Sequence, residues 1–534
     1  MDSGNILHGP EFAVPPPDIS LGRYISQLLP LHEGKVAQIS AETGKQVTFD
    51  EIYAKSLSIA HSLHKKGIKP GDAVGICSEN NIDYFLPVLA SFFVGAACAP
   101  LNPAYTVREL HHLLNISKPR IVFCSKRTFN RVAEVSQKVN FPMEIVVFEN
   151  DVQHKHIPFS AFLQDKSKEF SPIDGDPNEL IATILCSSGT TGLPKGVMLT
   201  HKNILSLLCL VLDPRFNRLE NDDEDRTAIG YLPFFHAMSF MSQIIQLTYG
   251  LKCVVMSKYG EELLLKTIEK YKISVVPVVP PVATFLAKAT AVGKYNLSSI
   301  KVIQCGAAPL SKDIEIKLQE RLQPERFGQG YGLTETTLGV TGGALEENRT
   351  GSVGKLLPGV ICKVVDLETG KNQGPYKSGE MRFKGPNIMK GYCGDEEATS
   401  AAFDGDGFLC TGDVGYYDEE GYFYIVDRLK ELIKYKGYQV APAELEALLL
   451  SHPAIKDVGV VGVPDKIAGE LPLAFVVKEQ KKNVTKQDII KFVEGQVSSQ
   501  KRLRGGVIFV DSIPRTPSGK IQRRKLKELT KSKL

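Results

Sequence analysis

The segment Ser187–Gly196 concentrates hydrogen-bonding groups in one short turn. It holds four hydroxyl side chains, three glycines and one lysine, and it follows an apolar run from Ile181 to Cys186. Glycines let the backbone turn tightly and point N–H groups inward, while the hydroxyls and Lys195 add further donors. This is the chemistry that binds a polyphosphate. The order differs from the common P-loop, in which Ser or Thr follows Gly-Lys, and a Gly/Ser-rich surface turn is the alternative.

A second group of such residues lies between Gly328 and Thr337. Alternating glycines permit the close approach of a flat ligand, and Tyr331 offers a ring on which a purine can stack. Thr334 contributes a hydroxyl donor, and Glu335 contributes a carboxylate that could hold Mg²⁺ against phosphate oxygens. The residue types fit a nucleotide, and a turn followed by a helix cap is the alternative.

Two charged residues farther along the chain could serve the same ligand. Asp413 can accept both hydroxyls of a ribose in a bidentate geometry. Lys520 lies on a loop restricted by Pro517 and Gly519, and its charge could stabilise the negative charge that spreads over a phosphate during displacement. The alternatives are a surface turn or ion pair for Asp413 and an ordinary exposed lysine for Lys520.

The elements that must position these residues alternate between strands and helices. Thr48-x-x-Glu51 and Thr106-x-x-Glu109 are capping boxes that predict helix starts. The apolar stretch 84–101 is short for a membrane span and predicts a buried helix that runs into a strand. Such alternation indicates parallel sheets covered by helices. Runs rich in Val and Ile predict buried strands at Ala73–Cys77, Arg120–Cys124, Glu144–Phe148, Ile181–Cys186, Lys252–Met256 and Ser274–Val279.

The pattern of predicted elements changes after about Gly351, where strand-like segments become shorter and turns become more frequent. This pattern predicts a small antiparallel, barrel-like subdomain. Farther on, helices are predicted at Glu444–Leu450 and Lys486–Gln500, and strands at Val458–Val463 and Ala474–Val477. We expect an N-terminal domain over 1–427 with the subdomain at about 351–427, a boundary at 428–430, and a C-terminal α+β domain over 431–534.

The composition is that of an ordinary globular protein. The 534 residues are 43% hydrophobic and 23% charged, enough for several cores. A net charge of +4 gives no reason to expect nucleic-acid binding. The ten cysteines are scattered singly without a Cys-x-x-Cys pair, so neither a zinc site nor a redox motif is indicated. Several lie in apolar runs, as buried reduced thiols do, and no secretory signal is visible.

The order and spacing of these motifs across nearly the whole chain resemble the adenylate-forming superfamily, which includes acyl-CoA synthetases, plant coumarate–CoA ligases and beetle luciferases. The resemblance implies a large α/β domain of two helix-covered, mostly parallel sheets, followed by a small mobile α+β domain. It implies that a carboxylic acid reacts with ATP to give an acyl-adenylate, and that CoA then takes the acyl group. ATP, Mg²⁺ and CoA are the implied cofactors.

The resemblance also implies roles for individual residues. It implies catalytic roles for Lys520, His236, Thr334 and Lys434, a metal ligand at Glu335 and a hinge at Lys430. The implied nucleotide-binding residues are Ser187, Ser188, Gly189, Thr190, Thr191, Lys195, Gly330, Tyr331, Gly332, Thr334, Asp413, Arg428 and Lys520. The implied acyl pocket consists of His236, Met238, Cys305, Gly306, Ala307, Leu338 and Gly339. The residues implied for the CoA step, after rotation of the small domain, are Lys434, Lys436, Gly437 and Gln439. For His236, a satisfied core histidine is the alternative.

The segments Tyr438–Glu446 and Lys501–Val507 resemble beetle luciferases, but the acid pocket departs from them. Leu207 stands where luciferases carry an arginine, Met238 where they carry a phenylalanine, and Leu338-Gly339 where they carry Ser-Ala. An apolar cavity suits an alkyl chain better than a hydroxylated heteroaromatic, whose polar groups would be left unpaired. We therefore expect a medium- or long-chain fatty acid as substrate, with little or no luminescence. Luciferin 4-monooxygenase activity, ligation of aryl-propenoic acids and a nucleotide-binding protein without catalysis are the alternatives.

The sequence ends in Ser532-Lys533-Leu534, which is the peroxisomal address. The signal needs an exposed and flexible terminus, which the polar tail is expected to provide. Chance occurrence in a lysine-rich tail is the alternative. We expect a peroxisomal enzyme that binds the import receptor through these residues and has neither a membrane span nor a nucleic-acid partner.

Overall fold

The structure is a computed structural model that describes residues 4–149, 156–164, 170–187, 194–215, 226–343, 349–436, 438–479, 482–516 and 519–533. Its helices are α1 (Leu21–Leu28), α2 (Phe49–Lys65), α3 (Phe85–Phe93), α4 (Val107–Ser117), α5 (Lys126–Ser136), α6 (His201–Val211), α7 (Ala237–Thr248), α8 (Glu261–Tyr271), α9 (Pro280–Lys288), α10 (Lys312–Leu322), α11 (Glu396–Ala401), α12 (Pro442–Ser451), α13 (Lys486–Glu494) and α14 (Arg523–Lys533). Its strands are β1 (Ile6–His8), β2 (Val36–Ser40), β3 (Gln46–Thr48), β4 (Ala73–Cys77), β5 (Ala97–Leu101), β6 (Ile121–Cys124), β7 (Glu144–Val147), β8 (Ile157–Pro158), β9 (Ile181–Ser187), β10 (Lys195–Thr200), β11 (Thr227–Gly230), β12 (Lys252–Val255), β13 (Val275–Val278), β14 (Val302–Cys305), β15 (Arg326–Tyr331), β16 (Thr341–Gly342), β17 (Lys355–Leu356), β18 (Ile361–Val365), β19 (Gly379–Lys384), β20 (Gly391–Tyr392), β21 (Leu409–Tyr417), β22 (Phe423–Arg428), β23 (Ile433–Tyr435), β24 (Tyr438–Val440), β25 (Ile455–Asp465), β26 (Gly469–Lys478) and β27 (Gly506–Phe509).

Two large sheets, each parallel at its centre, form the main body. The eight-stranded sheet has the order β20-β10-β9-β5-β4-β6-β7-β8, in which β4 to β9 are parallel and β10 and β20 are antiparallel. The nine-stranded sheet has the order β17-β16-β15-β14-β13-β11-β12-β2-β3 and is parallel from β15 to β2. Parallel neighbours need crossover connections, which helices supply by covering the faces of the sheets. This is the architecture that the alternation of elements predicts.

Local sequence signals in this body are confirmed. Thr48 begins α2 with a capping box: its hydroxyl accepts from the Glu51 N–H, and the Glu51 carboxylate accepts from the Thr48 N–H. Thr106 and Glu109 do the same at α4. The predicted strand Ala73–Cys77 is β4, and the apolar stretch 84–101 forms α3 followed by β5. Short-range hydrogen bonds and hydrophobic periodicity therefore determine these elements.

The cysteine side chains are free thiols, and seven of the ten are buried. Burial raises the pKa of Cys77 to about 12, so this thiol stays protonated near neutral pH. The prediction of buried, unpaired thiols is confirmed for these residues.

A membrane-crossing segment would need a long apolar helix. Within the ranges given above, no helix combines that length with that apolar character.

A third sheet is antiparallel and has the order β1-β18-β19-β21-β22. Strand β1, from the start of the chain, pairs with β18, and the sequence did not predict it because three residues are too short to show a period. The described strands form an open sheet and not the predicted barrel. Closure would need the two edge strands, β1 and β22, to pair, and β22 instead bonds at Phe423 to Val353 and Gly354.

The C-terminal sheet has the order β24-β23-β26-β25, with β27 parallel to β26. The predicted strands 458–463 and 474–477 lie within β25 and β26. The predicted helix 486–500 is shorter than expected, because α13 ends at Glu494 and Gly495 forms its C-cap; glycine is a poor helix former. The final polar residues form α14 through Lys533, where the sequence predicts a flexible tail. Lys, Arg, Glu and Leu are good helix formers, and the buried Leu526 anchors this helix.

Candidate functional site

A cavity of about 310 Å³ lies at the carboxyl ends of β14 and β15. Helices α6 and α7 form part of its wall, and Cys186 reaches it from the eight-stranded sheet. Ligands of open α/β sheets bind outside the carboxyl ends of the strands, so this is the position of a substrate site. The wall comprises Cys186, Leu207, Leu210, Val211, His236, Ala237, Met238, Ser242, Ile245, Gln246, Leu251, Val275, Val302, Gln304, Cys305, Gly306, Ala307, Gly328, Gly330, Gly332, Leu333, Thr334, Leu338, Gly339, Thr341, Gly342, Leu357 and Lys520.

Lys520 reaches this cavity from the C-terminal part of the chain. Its loop is held at the base by Arg515, which pairs with Asp457 at 2.7 Å and donates to the Gly519 carbonyl at 2.8 Å. Gly519 has a φ of +83°, and a Cβ there would lie 3.3 Å from the Pro281 ring. Burial lowers the pKa of Lys520. The loop thus needs glycine next to the lysine, both for its backbone conformation and for its close approach to α9.

Asp413 and Arg428 face each other on the neighbouring strands β21 and β22. The Arg428 Nε lies 3.1 Å from Asp413 Oδ1, and the Tyr331 hydroxyl donates to Oδ2 at 2.7 Å. Burial raises the pKa of Asp413, and the charge of Arg428 opposes this shift. Among the described residues, Oδ1 has no hydrogen-bond donor in good geometry. A buried carboxylate oxygen with spare capacity can accept a ligand hydroxyl, which is what the predicted ribose contact requires.

Glu335 and Lys195 meet at the ring of Tyr392. The Tyr392 hydroxyl donates to Glu335 Oε1 at 3.0 Å, and the Lys195 Nζ lies 4.6 Å from the ring centre. Tyr392 lies on β20, which pairs with β10, the strand that begins at Lys195. Glu335, the predicted metal ligand, and Lys195, the lysine of the predicted phosphate turn, are therefore close together. Sequence reasoning missed Tyr392, since no motif or spacing marks it.

His236 is the N-cap residue of α7 and lines the cavity. Its Nε2 is buried and has no hydrogen-bond partner among the residues that the structure describes. Burial, together with the charge of Lys520, lowers the pKa of His236 to about 4. The imidazole is therefore neutral near pH 7 and has one ring nitrogen available to a ligand. This is not the environment of a satisfied core histidine.

One glycine of the second motif, Gly332, has a strict steric role. Gly330, Gly332 and Thr334 all line the cavity. At Gly332 a Cβ would lie 2.1 Å from the Leu338 carbonyl oxygen, so no other residue fits there without a backbone shift. Gly328 to Tyr331 belong to β15, and the predicted turn is confined to the residues that follow.

The residues predicted for the acyl pocket lie together in the structure. His236, Met238, Cys305, Gly306, Ala307, Leu338 and Gly339 all line the cavity, and so does Leu207. Gly306 and Met238 are neighbours in this wall, since a Cβ at Gly306 would be in ordinary contact with the Met238 sulfur at 3.6 Å. Their binding of an acyl chain stays a prediction.

The comparison with known proteins identifies the family. The sequence profile of the AMP-binding enzyme matches residues 30–393, and that of the AMP-binding enzyme C-terminal domain matches residues 444–520. The chain belongs to the AMP-binding enzyme family.

Similarity to individual proteins supports this family assignment. The AMP-binding enzyme described here is 42% identical to luciferin 4-monooxygenase of Photuris pensylvanica over 540 residues, which are 99% of this chain and 98% of the relative. It is 37% identical to peroxisomal OPC-8:0-CoA ligase 1 of Arabidopsis thaliana over 529 residues, 97% of this chain and 94% of the relative. Its fold matches ATP-bound MatB from Rhodopseudomonas palustris with a TM-score of 0.85 and 29% identity, over 96% of this chain and 99% of that one. The predicted family, fold class and enzymatic nature are confirmed.

Several cavity residues of this AMP-binding enzyme were not predicted. They lie on α6, α7, β13 and β14 and between α7 and β12, and they include Leu210, Val211, Ser242, Ile245, Gln246, Leu251, Val275, Val302 and Gln304. Spacing offers a partial signal on α7, where Met238, Ser242 and Ile245 recur on one helical face. That signal does not separate a cavity wall from a packed core.

Part of the predicted site is not brought to the cavity. Lys434, Lys436 and Gln439 are exposed on the β23–β24 hairpin, and Lys430 is exposed between β22 and β23. None of these four residues lines the cavity, and neither do the predicted nucleotide and metal residues Lys195, Tyr331, Glu335, Asp413 and Arg428. Ser187 ends β9, whereas Ser188, Gly189, Thr190, Thr191, Gly437 and Leu534 lie outside the described residues. The roles assigned to these positions stay predictions.

Proposed function

We propose that this AMP-binding enzyme is an acid–thiol ligase that activates a medium- or long-chain fatty acid with ATP and transfers the acyl group to CoA. The observation that carries the proposal is one cavity that combines Lys520 and His236 with apolar walls such as Leu207, Leu210 and Val302. A substrate that is charged at one end and apolar along its length complements such a cavity. A fatty acid has this form.

In the proposed first half-reaction, a carboxylate oxygen attacks the α-phosphorus of ATP and pyrophosphate leaves. The charge of Lys520 stabilises the negative charge that spreads over the phosphate oxygens. The neutral imidazole of His236 can donate an N–H to the carboxylate, and the Thr334 hydroxyl can donate to a phosphate oxygen. Asp413 accepts ribose hydroxyls, with Arg428 beside it. The shared cavity of Lys520, His236 and Thr334 supports the assignments of these three residues, and the Oδ1 atom without a described donor supports that of Asp413.

The residues around Glu335 fit a magnesium ion bound by ATP. One oxygen of Glu335 accepts from Tyr392, and the other accepts no hydrogen bond from any residue that the structure describes. Nucleotide-bound Mg²⁺ uses one or two carboxylates together with phosphate oxygens and water. The described residues contain no cluster of three His, Cys, Asp or Glu that could hold a metal unaided, and a nucleotide site does not require one. When bound, the ion would neutralise part of the charge of the departing pyrophosphate.

In the proposed second half-reaction, the thiol sulfur attacks the acyl carbon and AMP leaves. AMP is a far better leaving group than the oxide of a free carboxylate. We assign the large domain to 1–427, the hinge to 428–430 and the small domain to 431–534, which would rotate about Lys430. Rotation would withdraw Lys520 and bring in the face that carries Lys434, Lys436 and Gln439. The exposure of these three side chains, while Lys520 lines the cavity, supports this sequence of events.

A second candidate function is luciferin 4-monooxygenase activity, in which O₂ oxidises the adenylate. The 42% identity to the Photuris protein favours it. Leu207, at the position where luciferases carry an arginine, lines the cavity and disfavours it. Light emission by the purified enzyme with luciferin, ATP and O₂ distinguishes the two functions.

The test of the main proposal is a panel of carboxylic acids scored for pyrophosphate release with and without CoA. We expect turnover of fatty acids that depends on CoA, weak or no turnover of p-coumaric acid, and little or no light with luciferin. Strong light emission, or turnover restricted to aryl-propenoic acids, would contradict the proposal.

We also propose that the enzyme works in the peroxisome. The terminal Ser532-Lys533-Leu534 supports this, as does the 37% identity to a ligase named as peroxisomal. A fluorescent protein fused to the N-terminus should reach peroxisomes with the full chain and stay diffuse when these three residues are removed. Identical distributions would contradict the proposal.

A further inference from the structure

Two glutamine side chains, Gln304 and Gln246, interrupt the apolar wall of the cavity. The Gln304 amide makes no hydrogen bond to any described residue. Gln246 is 7% exposed, and its Oε1 accepts from Gln243 at 2.7 Å, while its own NH₂ group has no partner among the described residues. Leaving a buried amide unpaired is unfavourable, which applies to Gln246, whereas Gln304 is half-buried in the cavity wall. Both amides therefore have hydrogen-bonding capacity that the protein itself does not use.

The unused hydrogen-bonding groups of Gln304 and Gln246 lie in an otherwise mostly apolar part of the cavity. The same part of the cavity is lined by Leu207, Leu210, Val211, Leu251, Val275 and Val302. Ligand pockets of this kind use a small number of polar groups to orient the ligand and to select it. Gln243 also accepts from Gln38 at 3.0 Å and donates to the Cys253 sulfur at 3.2 Å, so a buried network holds Gln246 in place. Because the Gln246 amide is already held in one orientation, it would lose little conformational entropy on binding a ligand, which favours a role in binding.

The two glutamines lie at different depths. Gln304 is the second-last residue of β14 and precedes Gly306 by two residues, a distance of about 7 Å along the strand direction. Gln246 follows His236 by ten residues along α7, a distance of about 15 Å along the helix axis. If the carboxylate lies near His236, Gln304 faces the middle of a long acyl chain, and Gln246 faces its far end.

We propose that the preferred substrate is an oxygenated fatty acid, with a hydroxyl or oxo group in the middle or at the far end of its chain. Gln304 hydrogen-bonds an oxygen in the middle of the chain, and Gln246 donates to an oxygen at the far end. A plain alkyl chain would leave both amides unpaired. This inference rests on the proposed ligase function and narrows its substrate class.

The experiment compares hexadecanoic acid with its mid-chain and terminally hydroxylated analogues by kcat/KM for pyrophosphate release. We expect the enzyme to prefer a hydroxylated acid by about tenfold. Gln304→Leu should abolish the preference for the mid-chain hydroxyl and spare the preference for the terminal one, and Gln246→Leu should do the reverse. Gln496→Leu, at an exposed position of the C-terminal domain, is the matched control and should change neither preference.

The ratios of kcat/KM between the hydroxylated acids and hexadecanoic acid distinguish a loss of substrate preference from a general loss of activity. Impaired folding would lower kcat/KM for all three acids alike, and such a uniform loss in both glutamine variants would overturn the inference. Equal or better use of plain hexadecanoic acid by the unmodified enzyme would also overturn it, while the ligase function would stand. If no carboxylic acid released pyrophosphate, the ligase function itself would fail.

Discussion

At the scale of single residues, the site is organised by charges of opposite sign around Lys520. Burial and the Arg428 guanidinium lower its pKa, and the carboxylates of Asp413 and Glu335 oppose this shift. A phosphate that enters the cavity adds negative charge and favours the ammonium form. His236, with a pKa lowered to about 4, adds no further positive charge to those of Lys520 and Arg428. Lys520 is thus the residue on which adenylation should depend most strongly.

Replacing Lys520 with alanine tests this role directly. We expect pyrophosphate release to fall by about 10²–10³-fold, the usual loss on removing one group that stabilises developing charge. Thioester formation from supplied acyl-adenylate should largely survive. The control is Lys525→Ala, at an exposed position of α14, which should leave both half-reactions unchanged. Equal losses of both half-reactions in the Lys520 variant would contradict the assignment.

At the scale of elements, a buried histidine joins two helices of the large body. His201 is the first residue of α6, and its Nδ1 accepts from the backbone N–H of Leu21, the first residue of α1, at 2.9 Å. His201 is fully buried, and its Nε2 has no partner within the described part of the chain. Helix α6 also carries Leu207 to the cavity wall. This contact therefore connects the stability of the α1–α6 pair to the shape of the site.

The burial of His201 should make the stability of the folded protein depend on pH. The pKa of His201 is lowered from 6.5 to about 4 by burial. Below pH 6.5 the unfolded chain binds a proton at this residue and the folded chain does not, so stability falls as the pH drops from 6.5 toward 4. The slope is at most about 1.4 kcal/mol per pH unit. In thermal melts, Tm should therefore fall less between pH 7 and pH 5 in His201→Asn, which has no titrating group at that position, than in the unmodified protein.

The control for this measurement is His8→Asn, since His8 is exposed. This variant should keep the slope of the unmodified protein. If Tm of the His201 variant fell as steeply with pH as that of the unmodified protein, other groups would account for the dependence.

At the scale of the whole molecule, helix α9 contacts the C-terminal part of the chain at both of its ends. Near its start, Pro281 lies against Gly519, next to Lys520. At its end, Lys288 Nζ donates to the Leu450 carbonyl at 2.8 Å. Leu450 lies in the last turn of α12, where free carbonyls and the helix dipole favour a cation. The Lys288 contact should therefore favour the arrangement in which Lys520 lines the cavity.

Removing the Lys288 contact should affect one half-reaction only. Lys288→Met keeps much of the side chain and removes the donor, and we expect pyrophosphate release to fall by about tenfold. Thioester formation from supplied acyl-adenylate should not fall, because the proposed rotation of the small domain would break the contact for that step. The control is Lys266→Met, whose lysine pairs with Glu262 on the surface of α8. A uniform loss of both half-reactions would indicate damage to the fold and not a shift between arrangements.

Elements that depend on nearby residues occur as the sequence predicts, whereas contacts between distant segments do not. Strand β4 and both capping boxes follow from residues a few positions apart, and they occur as predicted. Failures occur where distant segments compete for one partner. The outer edge of β22 bonds at Phe423 to Val353 and Gly354 and not to β1, and so the third sheet stays open. Tyr392 reaches Glu335 only because β20 pairs with β10.

The amino-acid sequence by itself determined the family, the chemistry of the motifs and the type of most elements, because each depends on residue identity and local spacing. Tertiary structure alone decided that Lys520 and His236 share a cavity and that Gln304 and Gln246 face its interior. The physical reason is that hydrophobic periodicity specifies which face of an element is buried. It does not specify which distant element covers that face, nor where the covering leaves a space for a ligand.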